Sequence, residues 1–149
     1  MKITFIGGGN MASALIGGLV QQGLDPNDLR VVEVNPETCA SLTRAFALKT
    51  YPGIGAEALQ GDLIVLAVKP QQLGAVAAEL RPLLREQLVV SIAAGVRAQD
   101  LSRWLGDYPR VVRAMPNTPA LVRAGITGLY ALAGVTAPAG LNAAATHAA

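Results

Sequence analysis

Five short apolar runs punctuate the chain: Ile3–Ile6, Val31–Val34, Leu63–Val68, Leu88–Ile92 and Val111–Met115. Each is continuous rather than alternating, which is the pattern of strands buried on both faces of a parallel sheet. Most intervals between them carry helical spacing. The first holds Ala12, Leu15, Ile16, Leu19 and Val20 on one face and stops at Gly23, a good helix terminator. Gly17 and Gly18 inside it cost about 1 kcal/mol each relative to alanine, a cost that close packing on a neighbour would offset. A second helix is expected to start at Asn35-Pro36, with Asn35 as N-cap and Pro36 in the first helical position. A third stripe, Leu73, Val76, Ala77, Leu80 and Leu84, must kink or restart at Pro82. A short helix bears Leu101, Trp104 and Leu105, with Trp104 expected in the core, and Ile126–Leu132 would add an edge strand.

The first strand runs straight into Gly7-x-Gly9-x-x-Ala12 and then a helix, the order found in dinucleotide-binding folds. Gly7 allows the tight turn, and Gly9 lets the backbone approach a pyrophosphate with no Cβ in the way. Ala12 is small enough for the helix to lie close on the sheet, whose helix N-terminus favours phosphate. Glu33 follows where an acid would meet the adenosine ribose hydroxyls. Repeated βα units with right-handed crossovers then predict an α/β fold: a doubly wound, mostly parallel, Rossmann-like sheet in a single domain over 1–134. Residues 135–149, alanine-rich and without an amphipathic stripe, read as a loosely ordered tail.

In such a sheet the ligand lies over the carboxyl ends of the strands. Ala67-Val68-Lys69-Pro70 follows one strand, Ser91-Ile92-Ala93-Ala94-Gly95 another, and Arg113-Ala114-Met115-Pro116-Asn117-Thr118-Pro119 a third. Ala93, Ala94 and Gly95 are small enough for a flat ring to approach the backbone. Pro70 starts the next helix and fixes its loop. Lys69 would reach a phosphate or ribose, or else stand solvated. Asn117 and Thr118 suit a nicotinamide carboxamide, or else form a turn between two prolines.

Bulk properties exclude several classes. At 149 residues, 52% hydrophobic and 15% charged, the chain suits a heavily buried domain rather than disorder. A formal charge of +2, dispersed along the chain, gives no basis for a nucleic-acid partner. Cys39 is the only cysteine, which fits a reducing cytoplasm, and the only histidine is His147, so neither a metal cluster nor a Cys–His nucleophile is expected. Lys2 followed by uncharged residues to Leu24 resembles a signal peptide, but the Gly-Gly-Gly-Asn break interrupts it. The uncharged stretch from Ala124 onward is broken by glycines, Pro138 and Asn142, a poor membrane span.

Taken together, Phe5-Ile6-Gly7-x-Gly9-Asn10-Met11-Ala12, Ala67-Val68-Lys69-Pro70, Ser91-Ile92-Ala93-Ala94-Gly95 and Arg113-x-Met115-Pro116-Asn117-Thr118-Pro119 resemble the cofactor domain of pyrroline-5-carboxylate reductase. The spacing matches to about residue 134. The resemblance implies NAD(P)H-dependent reduction of 1-pyrroline-5-carboxylate to L-proline, the last step of proline biosynthesis. It also implies that Gly7, Gly9, Asn10, Met11 and Ala12 hold the pyrophosphate, while Ala67 to Pro70 and Ala93 to Gly95 line the ribose and nicotinamide side.

Two departures qualify the resemblance. Family members continue into a helical domain with a Gly-Ser-Gly-Pro-Ala segment that forms the homo-oligomer and the carboxylate-binding part of the site. The sequence stops before any such segment. The expectation is therefore a cofactor-binding half, inactive alone and with unassigned catalytic residues; the alternative is a stand-alone nucleotide-binding or regulatory module. The second departure is Glu33, which argues for NAD(H) because a carboxylate repels a 2′-phosphate. Against it, the Asn35-Pro36 helix start offers backbone amides to a phosphate, so NADP(H) and NAD(H) both stay open.

Overall fold

The computed structural model describes residues 1–115 and 128–131. Seven strands, β1 (Ile3–Ile6), β2 (Leu29–Val32), β3 (Lys49–Tyr51), β4 (Leu63–Leu66), β5 (Leu88–Ser91), β6 (Val111–Met115) and β7 (Gly128–Ala131), form one sheet in the order β3-β2-β1-β4-β5-β6-β7. The first six are mutually parallel, and β7 joins β6 antiparallel, with Met115 opposite Gly128. This is the doubly wound Rossmann order. It reverses direction between β1 and β4, where such sheets open a crevice for ligands.

Among the described residues four helices cover the sheet: α1 (Asn10–Gln21), α2 (Pro36–Phe46), α3 (Leu73–Leu80) and α4 (Ala98–Trp104). On one face Ile3, Phe5, Val31 and Val65 pack with Ala12 and Ile16 of α1 and Leu42 of α2. On the other, Ile6, Ile64, Leu66, Val89 and Val111 pack with Leu73, Ala77 and Leu80 of α3 and Leu101 of α4. Burial on both faces is the physical reason most positions of β1, β2, β4, β5 and β6 are apolar rather than alternating.

The helix boundaries follow local chemistry. α1 closes in a Schellman motif: the Leu24 N–H donates to the Leu19 carbonyl and the Gly23 N–H to the Val20 carbonyl, with Gly23 at φ +98°. A Cβ on Gly17 would meet the Phe46 ring at 3.6 Å, so this glycine does face a packed neighbour. α2 starts as expected, with the Asn35 side chain accepting from the Glu37 and Thr38 N–H groups and Pro36 in the first turn. α3 gives way at Pro82 to a single 3-10 turn, Arg81–Leu83.

Three expectations need correction. The run Val31–Val34 is strand only to Val32, because the ladder with β1 spans Leu29 to Val32; Val34 lies beyond it and is 80% exposed. β3 carries no apolar run and was not anticipated. Trp104 is 43% exposed rather than core, because Leu101 and Leu105 fill the buried side of α4. Two polar residues on the α3/α4 face of the sheet act as pins for the segment before β4. The Thr4 hydroxyl donates to the Ala58 carbonyl, and the Arg30 guanidinium donates to the Gln60 carbonyl. No helix among the described residues is long and apolar enough to cross a membrane.

Candidate functional site

At the carboxyl edge of the sheet the backbone ladder continues past the strands and fixes the loops. The Gly7 N–H donates to the Val32 carbonyl, the Ala67 N–H to the Ile6 carbonyl and the Ile92 N–H to the Leu66 carbonyl. Between the ends of β1, β2 and β4 lies a cleft of about 560 Å³, lined by Gly7–Gly9, Val32–Val34, Gly53, Ile54, Ala67–Lys69 and residues of α3. It sits at the β1/β4 switch point, where a doubly wound fold binds its ligand.

The three glycines do different work. Gly7 has φ +101°, and a Cβ there would lie 2.8 Å from the Ala67 carbonyl oxygen, so it is required by both conformation and space. Gly8 is buried, and a Cβ would lie 2.8 Å from Leu42 Cδ1 and 3.3 Å from Val31 Cγ1. Motif reasoning left Gly8 as a variable position, yet it is where the loop presses onto β2 and α2. Gly9 has φ −70° and nothing within 4 Å of its Cβ position. Neither its conformation nor packing among the described residues accounts for Gly9; among them it borders open space.

Gly9 is also the N-cap of α1, has no side-chain cap, and no acidic residue stands in the first turn. The N–H groups of Asn10, Met11 and Ala12 have no intrahelical acceptor by position, and the helix dipole adds partial positive charge. Open glycine backbone beside an uncapped helix N-terminus fits a pyrophosphate. Asn10 is exposed and Met11 half-buried, while the Ala12 side chain is buried against the sheet, so Ala12 offers only its amide.

Glu33 stands beside this loop, half-buried, its backbone N–H donating to the Tyr51 carbonyl. Its Oε2 accepts from the Gly8 N–H at 2.8 Å and its Oε1 from the Asn35 N–H at 3.1 Å. The idea that the α2 start offers free amides to a phosphate needs correction, since the Asn35 side chain already accepts from Glu37 and Thr38. Ala67 and Val68 line the cleft half-buried; Lys69 and Pro70 are exposed, with Pro70 opening the turn into α3.

The β5 end lies further along the sheet. Ala93 is buried, Ala94 and Gly95 are exposed, and Gly95 has φ +78°. The buried Ser91 hydroxyl accepts the Ala93 N–H at 3.3 Å and shapes that turn. None of the three lines the cleft beside the glycine loop. Asn117, Thr118 and the 135–149 segment lie outside the described residues. Among the described residues, no group of His, Cys, Asp and Glu is placed to hold a metal ion.

Residues 2–95 match the family model described as NADP oxidoreductase coenzyme F420-dependent. The chain is 47% identical over 137 residues to a pyrroline-5-carboxylate reductase of Pseudomonas aeruginosa, covering 91% of this chain and 50% of that protein. It superposes on a pyrroline-5-carboxylate reductase structure from Coxiella burnetii with a TM-score of 0.86 at 44% identity, over 91% of this chain and 51% of that one. A Plasmodium falciparum pyrroline carboxylate reductase solved with NADP bound gives 0.79 at 28% identity, over 92% and 50%. The chain thus spans about half the length of the curated relatives it matches. With the matched segment covering most of its sheet, the chain belongs to the NADP oxidoreductase, coenzyme F420-dependent family.

Proposed function

We propose that this chain is the cofactor-binding part of an NAD(P)H-dependent reductase that converts 1-pyrroline-5-carboxylate to L-proline, in the last step of proline biosynthesis. The observation that carries the reading is the open space at Gly9 beside the uncapped start of α1, at the sheet's switch point. Similarity to reductases of that name over 91% of the chain supports the substrate class.

In this reading the backbone of Gly7–Ala12 holds the pyrophosphate, and Ala67–Pro70 borders the ribose. Ala93–Gly95 leaves room for the nicotinamide ring, with Asn117 and Thr118 toward its carboxamide. When bound, the cofactor supplies a hydride for the carbon of a cyclic C=N bond. The protein's part is positioning, which can lower a barrier by about 7–11 kcal/mol. None of this chain's matched segments is assigned to the substrate carboxylate, so the chain by itself is expected to turn over poorly. The same reading takes 1–134 as the cofactor domain and 135–149 as a trailing segment. It takes the setting as cytoplasmic, supported by the single thiol of Cys39, and self-association as the work of a helical domain outside this sequence.

Calorimetric titration of the folded chain with NADH and NADPH tests the reading. Saturable binding of at least one dinucleotide is expected, and no heat from either at millimolar concentration overturns it. In NADPH- or NADH-oxidation assays with 1-pyrroline-5-carboxylate, the chain should fall well below a full-length relative. Equal turnover would refute the division of labour.

A further inference from the structure

We infer that Glu33 makes the cleft selective for a dinucleotide with a free adenosine 2′-hydroxyl, NAD(H) over NADP(H), in contrast to the cofactor in the family's description. The inference rests on the proposed dinucleotide site and specifies which member of that class it takes.

The geometry of the carboxylate carries it. Glu33 closes β2, the place from which an acid reaches the adenosine ribose. Its two oxygens are held by different backbone donors, the Gly8 N–H of the phosphate loop and the Asn35 N–H at the start of α2. A carboxylate gripped in this way gives up two backbone hydrogen bonds if it swings aside to admit another anion. Each oxygen keeps a second lone pair, so the fixed group can still accept from ribose hydroxyls. A 2′-phosphate, bringing nearly two negative charges to the same position, would face it directly.

The described residues around Glu33 offer that phosphate no alternative grip. Residues 33–38 read Glu-Val-Asn-Pro-Glu-Thr, two carboxylates with no cation. The first-turn amides of Glu37 and Thr38 are already taken by the Asn35 side chain. Val34, 80% exposed at the rim, presents an apolar surface where an arginine would serve a phosphate. Among the described residues the one cation lining the cleft, Lys69, belongs to the β4 end.

The test is the ratio of NADPH to NADH dissociation constants for the full chain, measured by calorimetry at low ionic strength. NADH is expected to bind tighter by about tenfold or more, a difference of about 1.4 kcal/mol. Glu33→Gln removes the charge but keeps the side-chain length and one amide acceptor; it should bring the two constants within about threefold of each other. Val34→Arg leaves the clamp untouched and should tighten NADPH alone. Circular dichroism confirms that each variant is folded. Equal or tighter binding of NADPH by the parent chain overturns the inference, as does a ratio unmoved by Glu33→Gln. If the folded parent binds neither dinucleotide, the proposed site itself fails, and selectivity falls with it.

Discussion

The two ends of the sheet differ in a way that volume alone would misread. The amino end carries the larger groove, about 970 Å³, lined by Asp62, Leu63, Arg85, Glu86, Gln87 and Arg110 among others. The carboxyl end carries about 560 Å³, with Glu33, Lys69 and Glu79 as its charged lining among the described residues. Yet only the smaller cleft has backbone built for a ligand. It holds a helix N-terminus with no cap, a glycine with no internal reason to be glycine, and a carboxylate fixed by two amides. At the amino end, cations and carboxylates of mixed sign line an open surface. Two of its polar side chains serve the fold: the Asp62 carboxylate accepts from the Lys2 backbone N–H, and the Gln87 side chain accepts from Arg85 and donates to Leu59. In a doubly wound sheet, strand direction decides which end binds, because every helix N-terminus that follows a strand points to the carboxyl edge.

The sharpest way to break this contrast is Gly9→Val. None of the described residues lies within 4 Å of the new Cβ, and φ −70° suits any residue, so the fold should be kept. The branched side chain would fill the space given to the pyrophosphate. Dinucleotide affinity is expected to fall by at least about a hundredfold, equivalent to about 2.8 kcal/mol, with the thermal midpoint shifted little. Calorimetry and a melting curve on the same sample read both. Retained affinity would put the ligand somewhere other than against this turn.

One residue earlier the expectation inverts. Gly8→Ala places a methyl 2.8 Å from Leu42 Cδ1 and 3.3 Å from Val31 Cγ1 in a packed interface. Overpacking of this kind costs about 1–3 kcal/mol, so urea or thermal unfolding should show a clear loss of stability. Binding should weaken only as far as the loop is displaced. If Gly8→Ala is neutral in unfolding while Gly9→Val is destabilising, the division between a structural and a ligand-facing glycine is wrong.

Much of the candidate cleft's framework is legible in the sequence, because a few positions are fixed by rules that need no tertiary context. The strand–glycine–helix order located Gly7, Gly9 and Ala12, and the distance to the end of the second strand located Glu33. The chain's own contacts were less legible. Gly8 occupies a free position of the motif, and only the approach of Leu42 and Val31 explains it. That Glu33 grips Gly8 and Asn35, or that Asn35 closes the α2 amides, depends on side-chain directions that spacing does not contain. The end of β2 was misplaced because Val34 extends the apolar run, whereas the ladder with β1 stops at Val32. β3 escaped notice because three residues, Lys49, Thr50 and Tyr51, carry no apolar period, and their pairing with β2 is a long-range event. Trp104 shows the limit of composition: a large apolar side chain is kept half outside when its neighbours already fill the core.

The smallest expected effect tests the other end of the comparison. Arg85 lines the amino-end groove, is exposed, and its described hydrogen bond is made by its backbone N–H to Gln87 Oε1. Arg85→Ala therefore removes a charge from the larger groove without touching that bond. Surface substitutions of this type stay within about 0.5 kcal/mol in stability, and no change in melting beyond that is expected. Dinucleotide affinity should also be unchanged, because Arg85 is solvent-exposed at the opposite edge of the sheet, where salt screens its charge from the glycine loop. Glu33→Gln, measured beside it, should shift the NADPH-to-NADH ratio while Arg85→Ala leaves the ratio alone. A tenfold loss of affinity in Arg85→Ala, with the fold intact, would move the binding site to the amino end and undo the reading of both clefts.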